Sequence, residues 1–138
     1  MSLLKIAIQK SGRLHDDSIQ ILRDCGISIS NGNDQLKVTA SNFPLEVLFL
    51  RNSDIPQYLV DGVVDAAIVG DNLLVEKGYP IQVVEKLGFS KCKVSIAVPQ
   101  NFVYNSIQDL NGLRIATSYP KTVLDYFNSK KVAIDIHE

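Results

Sequence analysis

The chain has 138 residues, enough for one domain with a real core or for two small lobes. Hydrophobic residues make up 46% and charged residues 21%, the balance of an ordinary globular protein, and a formal net charge of -1 excludes the general basic field of a nucleic-acid binder. No apolar run approaches the roughly 18 residues of a membrane helix, and the N-terminus lacks the apolar segment of a signal peptide. Cys25 and Cys92 are isolated, so they read as reduced, partly buried thiols of a cytoplasmic chain without a disulfide framework.

The first informative stretch runs from Leu4 to Gly26. Lys5-Ile6-Ala7-Ile8 predicts a short strand, and Gln9-Lys10-Ser11-Gly12-Arg13 places two cations, a hydroxyl and a glycine in one turn. A helix should follow, with Leu14, Ser18, Ile21, Leu22 and Cys25 on one side. Asp16 and Asp17 suit its positive end, and Gly26 suits the left-handed position after its last turn. Strand, polar loop and helix together aim backbone N–H groups at an anion. Lys10 and Arg13 add charge-assisted contacts, although an ordinary strand-to-helix turn with solvated cations has the same composition.

Further along, Ile27 and Ile29 suggest a strand, and Asn31-Gly32-Asn33-Asp34 a hairpin-type turn. Leu36 to Thr39 returns as a strand. Leu45 to Leu50 is an almost unbroken apolar run of buried-strand type. It ends at Arg51, and Asp54 is placed to cap a helix from Ile55 to Asp61 that carries Pro56 in its first turn. Val63 to Val69 predicts a second buried strand, followed by Gly70-Asp71-Asn72, a helix from Leu73 to Lys77, and Gly78. Ile81 to Leu87 and Lys93 to Pro99 predict two more strands.

This alternation implies an α/β fold with a mostly parallel sheet covered on both faces. Ligands of such sheets sit at the carboxyl ends of the strands, where Lys10–Arg13, Arg51 and Gly70–Asn72 all fall. Residues 1–99 then form a first lobe. From residue 100 a second lobe begins. Ser106-Ile107-Gln108-Asp109 resembles a capping box, Leu113 to Ala116 is a strand, and Thr117-Ser118-Tyr119-Pro120 leads into a helix to about Ser129 with Val123, Leu124 and Phe127 on one face. Val132 to Ile134 starts another strand. One strand-helix unit and a stub are too little for a self-sufficient core, so residues 100–138 read as a truncated lobe.

Three blocks, IAIQKSGRL (Ile6 to Leu14), DIPQYLVDGVVDAAIVGDN (Asp54 to Asn72) and RIATSYP (Arg114 to Pro120), resemble in this order the amino-terminal half of the ATP phosphoribosyltransferase family. QKSGRL is closer to its long, self-regulated form than to the short form that needs a separate partner subunit. The resemblance implies two α/β lobes of periplasmic-binding-protein type, with mostly parallel sheets and the active site between them. It implies ATP and phosphoribosyl pyrophosphate as substrates, with N1 of ATP joined to the anomeric carbon and pyrophosphate released in the first step of histidine biosynthesis. Mg²⁺ is implied with the substrates, AMP and histidine as inhibitors of the full-length enzyme, and a homo-oligomer as the assembly. Orientation and charge neutralisation suffice for this chemistry. It asks for no side-chain nucleophile, and the sequence shows neither a Ser-His-Asp or Cys-His arrangement nor metal-ligand spacing.

The resemblance also implies a fragment. The family's loop for the ribose 5-phosphate, in a segment resembling D-L-V-S-T-G, and its histidine-binding domain lie downstream of Glu138, so the chain alone is expected to be inactive. The candidate ligand-binding residues are Lys10, Ser11, Gly12, Arg13, Arg51, Gly70, Asp71, Asn72, Thr117, Ser118 and Tyr119. Each has a plainer role as a turn, cap or surface residue. Asp54 reads as a cap, His15 as a solvated side chain, and Asp61 and Asp65 as terminators of elements. A non-catalytic small-ligand module on the same two-lobed plan is the alternative reading, since function resides in the site and not in the fold.

Overall fold

A computed structural model describes residues 2–30 and 35–138. The Asn31–Asp34 turn expected from the sequence lies outside the described residues. The chain divides into two compact units, Met1–Lys91 and Cys92–Glu138.

The first unit is built on a four-stranded sheet in the order β2-β3-β1-β4. Strand β1 spans Leu4–Gln9, β2 Lys37–Thr39, β3 Leu45–Leu50 and β4 Ala66–Ala67. β3 and β4 flank β1 in parallel, with Gln9 level with Leu50 and Ala7 level with Ala67. β2 closes the edge antiparallel to β3. Successive side chains of a strand face opposite ways, which explains why Ala7 and Ile8 are both fully buried. Ile8 joins Leu45, Val47 and Phe49 beneath helix α1 (Arg13–Asp24), which contributes Ile19 and Leu22. Ala7 joins Ile55 and Val64 on the other face, under helix α2 (Ile55–Val60). Each buried aliphatic side chain contributes about 1.5–3 kcal/mol. The parallel sheet covered on both faces is therefore the observed architecture.

Several local expectations are corrected. Helix α1 buries Ser18, Ile19 and Leu22, so its inward stripe is turned toward Ile19, and Cys25 is exposed, as is Cys92. Ser18 tolerates full burial because its Oγ donates to Leu14 O at 2.6 Å. Ile27 and Ile29 do not enter a ladder. The Asn42 side chain takes the place of a strand partner, with Oδ1 accepting from Ser28 N at 2.8 Å and Nδ2 donating to Gly26 O at 2.7 Å.

The expected strand Val63–Val69 shrinks to two residues, with Val63 45% exposed. Asp54 makes no side-chain cap, because Asn52–Asp54 already form a 3₁₀ turn running into α2. Ile81–Leu87 and Lys93–Pro99 are not strands. An apolar run becomes a strand only where a neighbouring backbone completes its ladder, and among the described residues none pairs with them. Val84 is 83% exposed. Helix α3 (Asp71–Lys77) ends as expected at Gly78, in the left-handed region at φ 63°.

The second unit contains β5 (Arg114–Ala116) parallel to β6 (Asp135–His137), joined through helix α4 (Pro120–Ser129). Leu110, Phe127 and Val132 are buried together, and Ile115, Val123 and Ile134 pack on them. A small core therefore forms in a segment whose length argues against one, while Leu124, expected to share that face, is 43% exposed. The capping box is present: Asp109 Oδ2 accepts from Asn105 N at 2.7 Å and Ser106 N at 3.2 Å. Those two backbone donors hold the Asp109 carboxyl below its ordinary pKa.

Candidate ligand site

The candidate residues of the first unit gather at one end of the sheet. Because β3, β1 and β4 run in parallel as neighbours, the loops that follow them leave from the same edge. The loop Lys10–Gly12 is central, with Arg51 on one side and Gly70–Asn72 on the other. One hydrogen bond ties the first two together: Lys10 N donates to Leu50 O at 2.9 Å. The loop after β1 therefore leaves the sheet level with Arg51.

Gly12 sets the shape of the central loop. It precedes α1 with φ 89° and ψ -171°, a region essentially reserved for glycine. Its carbonyl accepts from Asp16 N at 3.1 Å, starting the helix. A Ser or Asp at this position would occupy first-turn N–H groups with its side chain. Glycine has none, and no side-chain cap is present. The N–H groups of the first turn of α1 therefore remain available, with the positive end of the helix dipole behind them.

Lys10, Ser11, Gly12 and Arg13 are all exposed, and so is Arg51. Among the described residues no carboxylate pairs with any of these three cations. Two acids of α1 are otherwise engaged. Asp16 Oδ1 lies 3.0 Å from His15 Nδ1, and Asp17 Oδ2 accepts from Ser90 Oγ at 2.6 Å. His15 is half-buried beside Phe49, with ring centroids 5.5 Å apart, and is not the freely solvated side chain expected. What results is an open, cationic, donor-rich edge, suited to an anion with several oxygens.

At β4 the chain passes through Gly70 into α3. Asn72 folds back so that its Oδ1 accepts from Leu73 N at 3.0 Å. A Cβ on Gly70 would lie 2.7 Å from that Oδ1, so glycine is what lets the amide sit there. Asp71 is exposed and Asn72 half-buried. Asp65 and Asp61 serve the fold, as Asp65 Oδ2 accepts from Lys5 N at 2.9 Å and Asp61 Oδ1 from Gln57 Nε2 at 2.8 Å. Among the described residues no three His, Cys, Asp or Glu side chains gather as a metal site, and no helix is long and apolar enough to cross a membrane.

Asn52 does not stand out in the sequence. Its Oδ1 is buried and has no hydrogen-bond partner among the described residues, a situation that costs about 1–3 kcal/mol. The only sequence signal is its place directly after Arg51, in the same turn.

Thr117, Ser118 and Tyr119 belong to the second unit. Thr117 N donates to His137 O at 2.9 Å, and Thr117 Oγ1 accepts from Tyr119 N at 2.9 Å. This Thr turn delivers the chain into α4, with Pro120 at the helix start. Ser118 is exposed and Tyr119 half-buried. Ser118 does not cap α4, because the position before the helix is Tyr119 and no side-chain cap is formed.

A cavity of about 530 Å³ opens elsewhere, lined by Arg23, Gly26, Ser28, Thr39 and Ser41 among others. It lies at the amino ends of the parallel strands, where the end of β2 meets the start of β3. The carbonyl end of α1 beside it disfavours anions. The strand-end loops hold the better chemistry.

Comparison with known proteins bears on the family and fold of the chain. A family model for HisG, ATP phosphoribosyltransferase, matches residues 51–138. An ATP phosphoribosyltransferase of Cytophaga hutchinsonii is 50% identical over 137 residues, covering 99% of this chain and 48% of that protein. One from Parabacteroides distasonis is 43% identical over 135 residues, 98% of this chain and 48% of its own. Among solved structures, the ATP phosphoribosyl transferase (HisG:HisZ) complex from Thermotoga maritima superposes with a TM-score of 0.65 at 25% identity. That match covers 98% of this chain and 63% of the solved one. The chain spans about half the length of the curated relatives it matches. The Lys10–Arg13 loop precedes the residues matched by the family model but lies within the stretch shared with the Cytophaga protein. With most of its residues under the family model and half of them identical to a curated member along nearly its whole length, this chain belongs to the ATP phosphoribosyltransferase family.

Proposed function

We propose that the chain supplies the nucleotide side of an enzyme that joins N1 of ATP to the anomeric carbon of phosphoribosyl pyrophosphate, releasing pyrophosphate in the first step of histidine biosynthesis. The observation that carries this reading is the strand-end edge. Lys10 and Arg13, the open first turn of α1 and Arg51 are brought level by the Lys10 N to Leu50 O bond, in a chain whose curated relatives bear this transferase name.

In this role the cations and N–H groups hold the triphosphate and fix where the adenine lies. Gly70, Asp71 and Asn72 border the same edge and serve the nucleoside part. Thr117, Ser118 and Tyr119 are ligand-binding residues of the second unit. Holding two reactants in line supplies roughly 7–11 kcal/mol of barrier lowering, and neutralising the departing pyrophosphate supplies the electrostatic part. No side chain forms a bond to substrate. Mg²⁺ enters on the phosphates of the substrates.

The full-length enzyme is a cytoplasmic homo-oligomer of the long, self-regulated form, inhibited by AMP and histidine. The chain spans about half the length of its curated relatives, and by itself it binds nucleotide weakly and releases no pyrophosphate above background. Amide shifts on titration with Mg·ATP test the assignment. They should cluster on residues 10–13, 51–52 and 70–72. Saturable shifts confined to other residues would move the site.

A further inference from the structure

Arg13 and Asp17 stand four residues apart on α1, a spacing at which opposite charges on a helix meet. Elsewhere in the chain an aspartate four residues after a side-chain donor does bond to it. Gln20 donates to Asp24 at 2.8 Å along α1, Gln57 to Asp61 at 2.8 Å along α2, and Lys121 to Asp125 at 3.4 Å along α4. Arg13 and Asp17 depart from this pattern. Among the described residues Arg13 pairs with no carboxylate, and Asp17 Oδ2 accepts from Ser90 Oγ at 2.6 Å, 73 residues away in sequence. Ser90 reaches α1 from a backbone with φ 52°, a positive value that a non-glycine residue adopts at a cost. Both residues belong to the first unit.

We propose that Ser90 is a positioning residue of the ligand edge, holding the Asp17 carboxylate off Arg13 and so keeping that guanidinium open to the phosphates of the nucleotide. The inference rests on the nucleotide reading above and adds to it a residue that lies outside the edge. Asp17 keeps its charge, so the effect is one of direction. The hydroxyl bond fixes which way the carboxylate points. Without that bond, Asp17 is free to turn to Arg13, and a guanidinium paired with a carboxylate has fewer N–H donors left for phosphate. Asp16, three residues after Arg13, is drawn to His15 Nδ1 at 3.0 Å, so Asp17 is the acid whose direction the Ser90 contact decides. The backbone of Ser90 fits this role, because a serine persists at positive φ where surrounding contacts hold it there.

The test follows the Arg13 Hε–Nε NMR signal, and ATP affinity by amide-shift titration, in four proteins. These are the unaltered chain, Ser90→Gly, Ser90→Ala, and Ser90→Gly combined with Asp17→Ala. Glycine relaxes the positive φ and alanine retains it, so a change common to both belongs to the lost hydroxyl. In both single variants the Arg13 signal should shift without nucleotide. ATP should bind them about twofold more weakly, the scale of one helix ion pair. Both effects should vanish in the double variant, which has no carboxylate at residue 17. An Arg13 signal unchanged in S90G and S90A overturns the inference, as does a shift or affinity loss that persists in the double variant. So does a shifted Arg13 signal with ATP affinity unchanged. Failure of the unaltered chain to bind ATP is a separate result that overturns the nucleotide reading itself, and the Arg13 signal then still reports whether Ser90 keeps Asp17 off Arg13.

Discussion

Replacing Gly12 by alanine separates backbone strain from crowding at the loop on which the account depends. An added Cβ would meet nothing closer than Gln9 Nε2 at 3.7 Å, an ordinary contact. The whole cost therefore comes from φ 89° and ψ -171°. An L-residue held there is penalised by about 1–3 kcal/mol. The mirror image of this conformation is ordinary extended backbone, so D-alanine fits it unstrained. D-alanine also narrows the unfolded ensemble, which stabilises by about 0.4–1 kcal/mol. Cys25 permits the experiment, because a synthetic peptide ending at Asp24 can be ligated to it. Urea unfolding of the three proteins should rank the D-alanine protein at or above the glycine one, and the L-alanine protein below the D-alanine one by about 1–3 kcal/mol. Equal stability of the two alanine enantiomers would refute the claim that Gly12 is required by its backbone angles.

Asn42→Ala removes the two side-chain bonds that stand in for a strand partner at residues 26–28. At about 0.5–1.5 kcal/mol each, urea unfolding should show a loss of about 1–3 kcal/mol. The Asp109 carboxylate is held below its ordinary pKa by backbone donors from Asn105 and Ser106. Its stabilising effect is complete above the unfolded aspartate value of about 3.9 and is lost as pH falls through the lower folded value. Amide exchange at Asn105 and Ser106 should therefore be faster in Asp109→Ala than in the unaltered chain at neutral pH, and the difference should vanish in strong acid. Both thiols are exposed, so Ellman's reagent should label Cys25 and Cys92 in the folded chain without denaturant.

The parts of the fold that are legible in the sequence are those whose signal is local. The run Leu45–Leu50 and the strand before Gln9 carry their own burial pattern, and Gly12, Gly26 and Gly78 mark positive-φ positions that few other residues tolerate. Since parallel strands share an edge, the gathering of Lys10, Arg51 and Gly70 follows from strand order alone. What is not legible depends on partners elsewhere in the chain. Ile81–Leu87 and Lys93–Pro99 have strand composition, but composition cannot supply the neighbouring backbone that completes a ladder. Ile27 and Ile29 look like strand residues, yet a single Asn42 amide, more than ten residues away, occupies the groups a strand would use. Asn52 is hidden for a related reason, since burial of one side-chain oxygen is a tertiary property.

The central claim is that the loop after β1 binds the nucleotide phosphates. Calorimetric titration of ATP into the chain and into the Lys10→Ala, Arg13→Ala double variant tests it most directly. Two charge-assisted contacts worth about 1.5–3 kcal/mol each should disappear, lowering affinity by at least tenfold. Urea stability should change little, because both side chains are exposed and pair with no carboxylate among the described residues. An ATP affinity unchanged in the double variant would contradict the account.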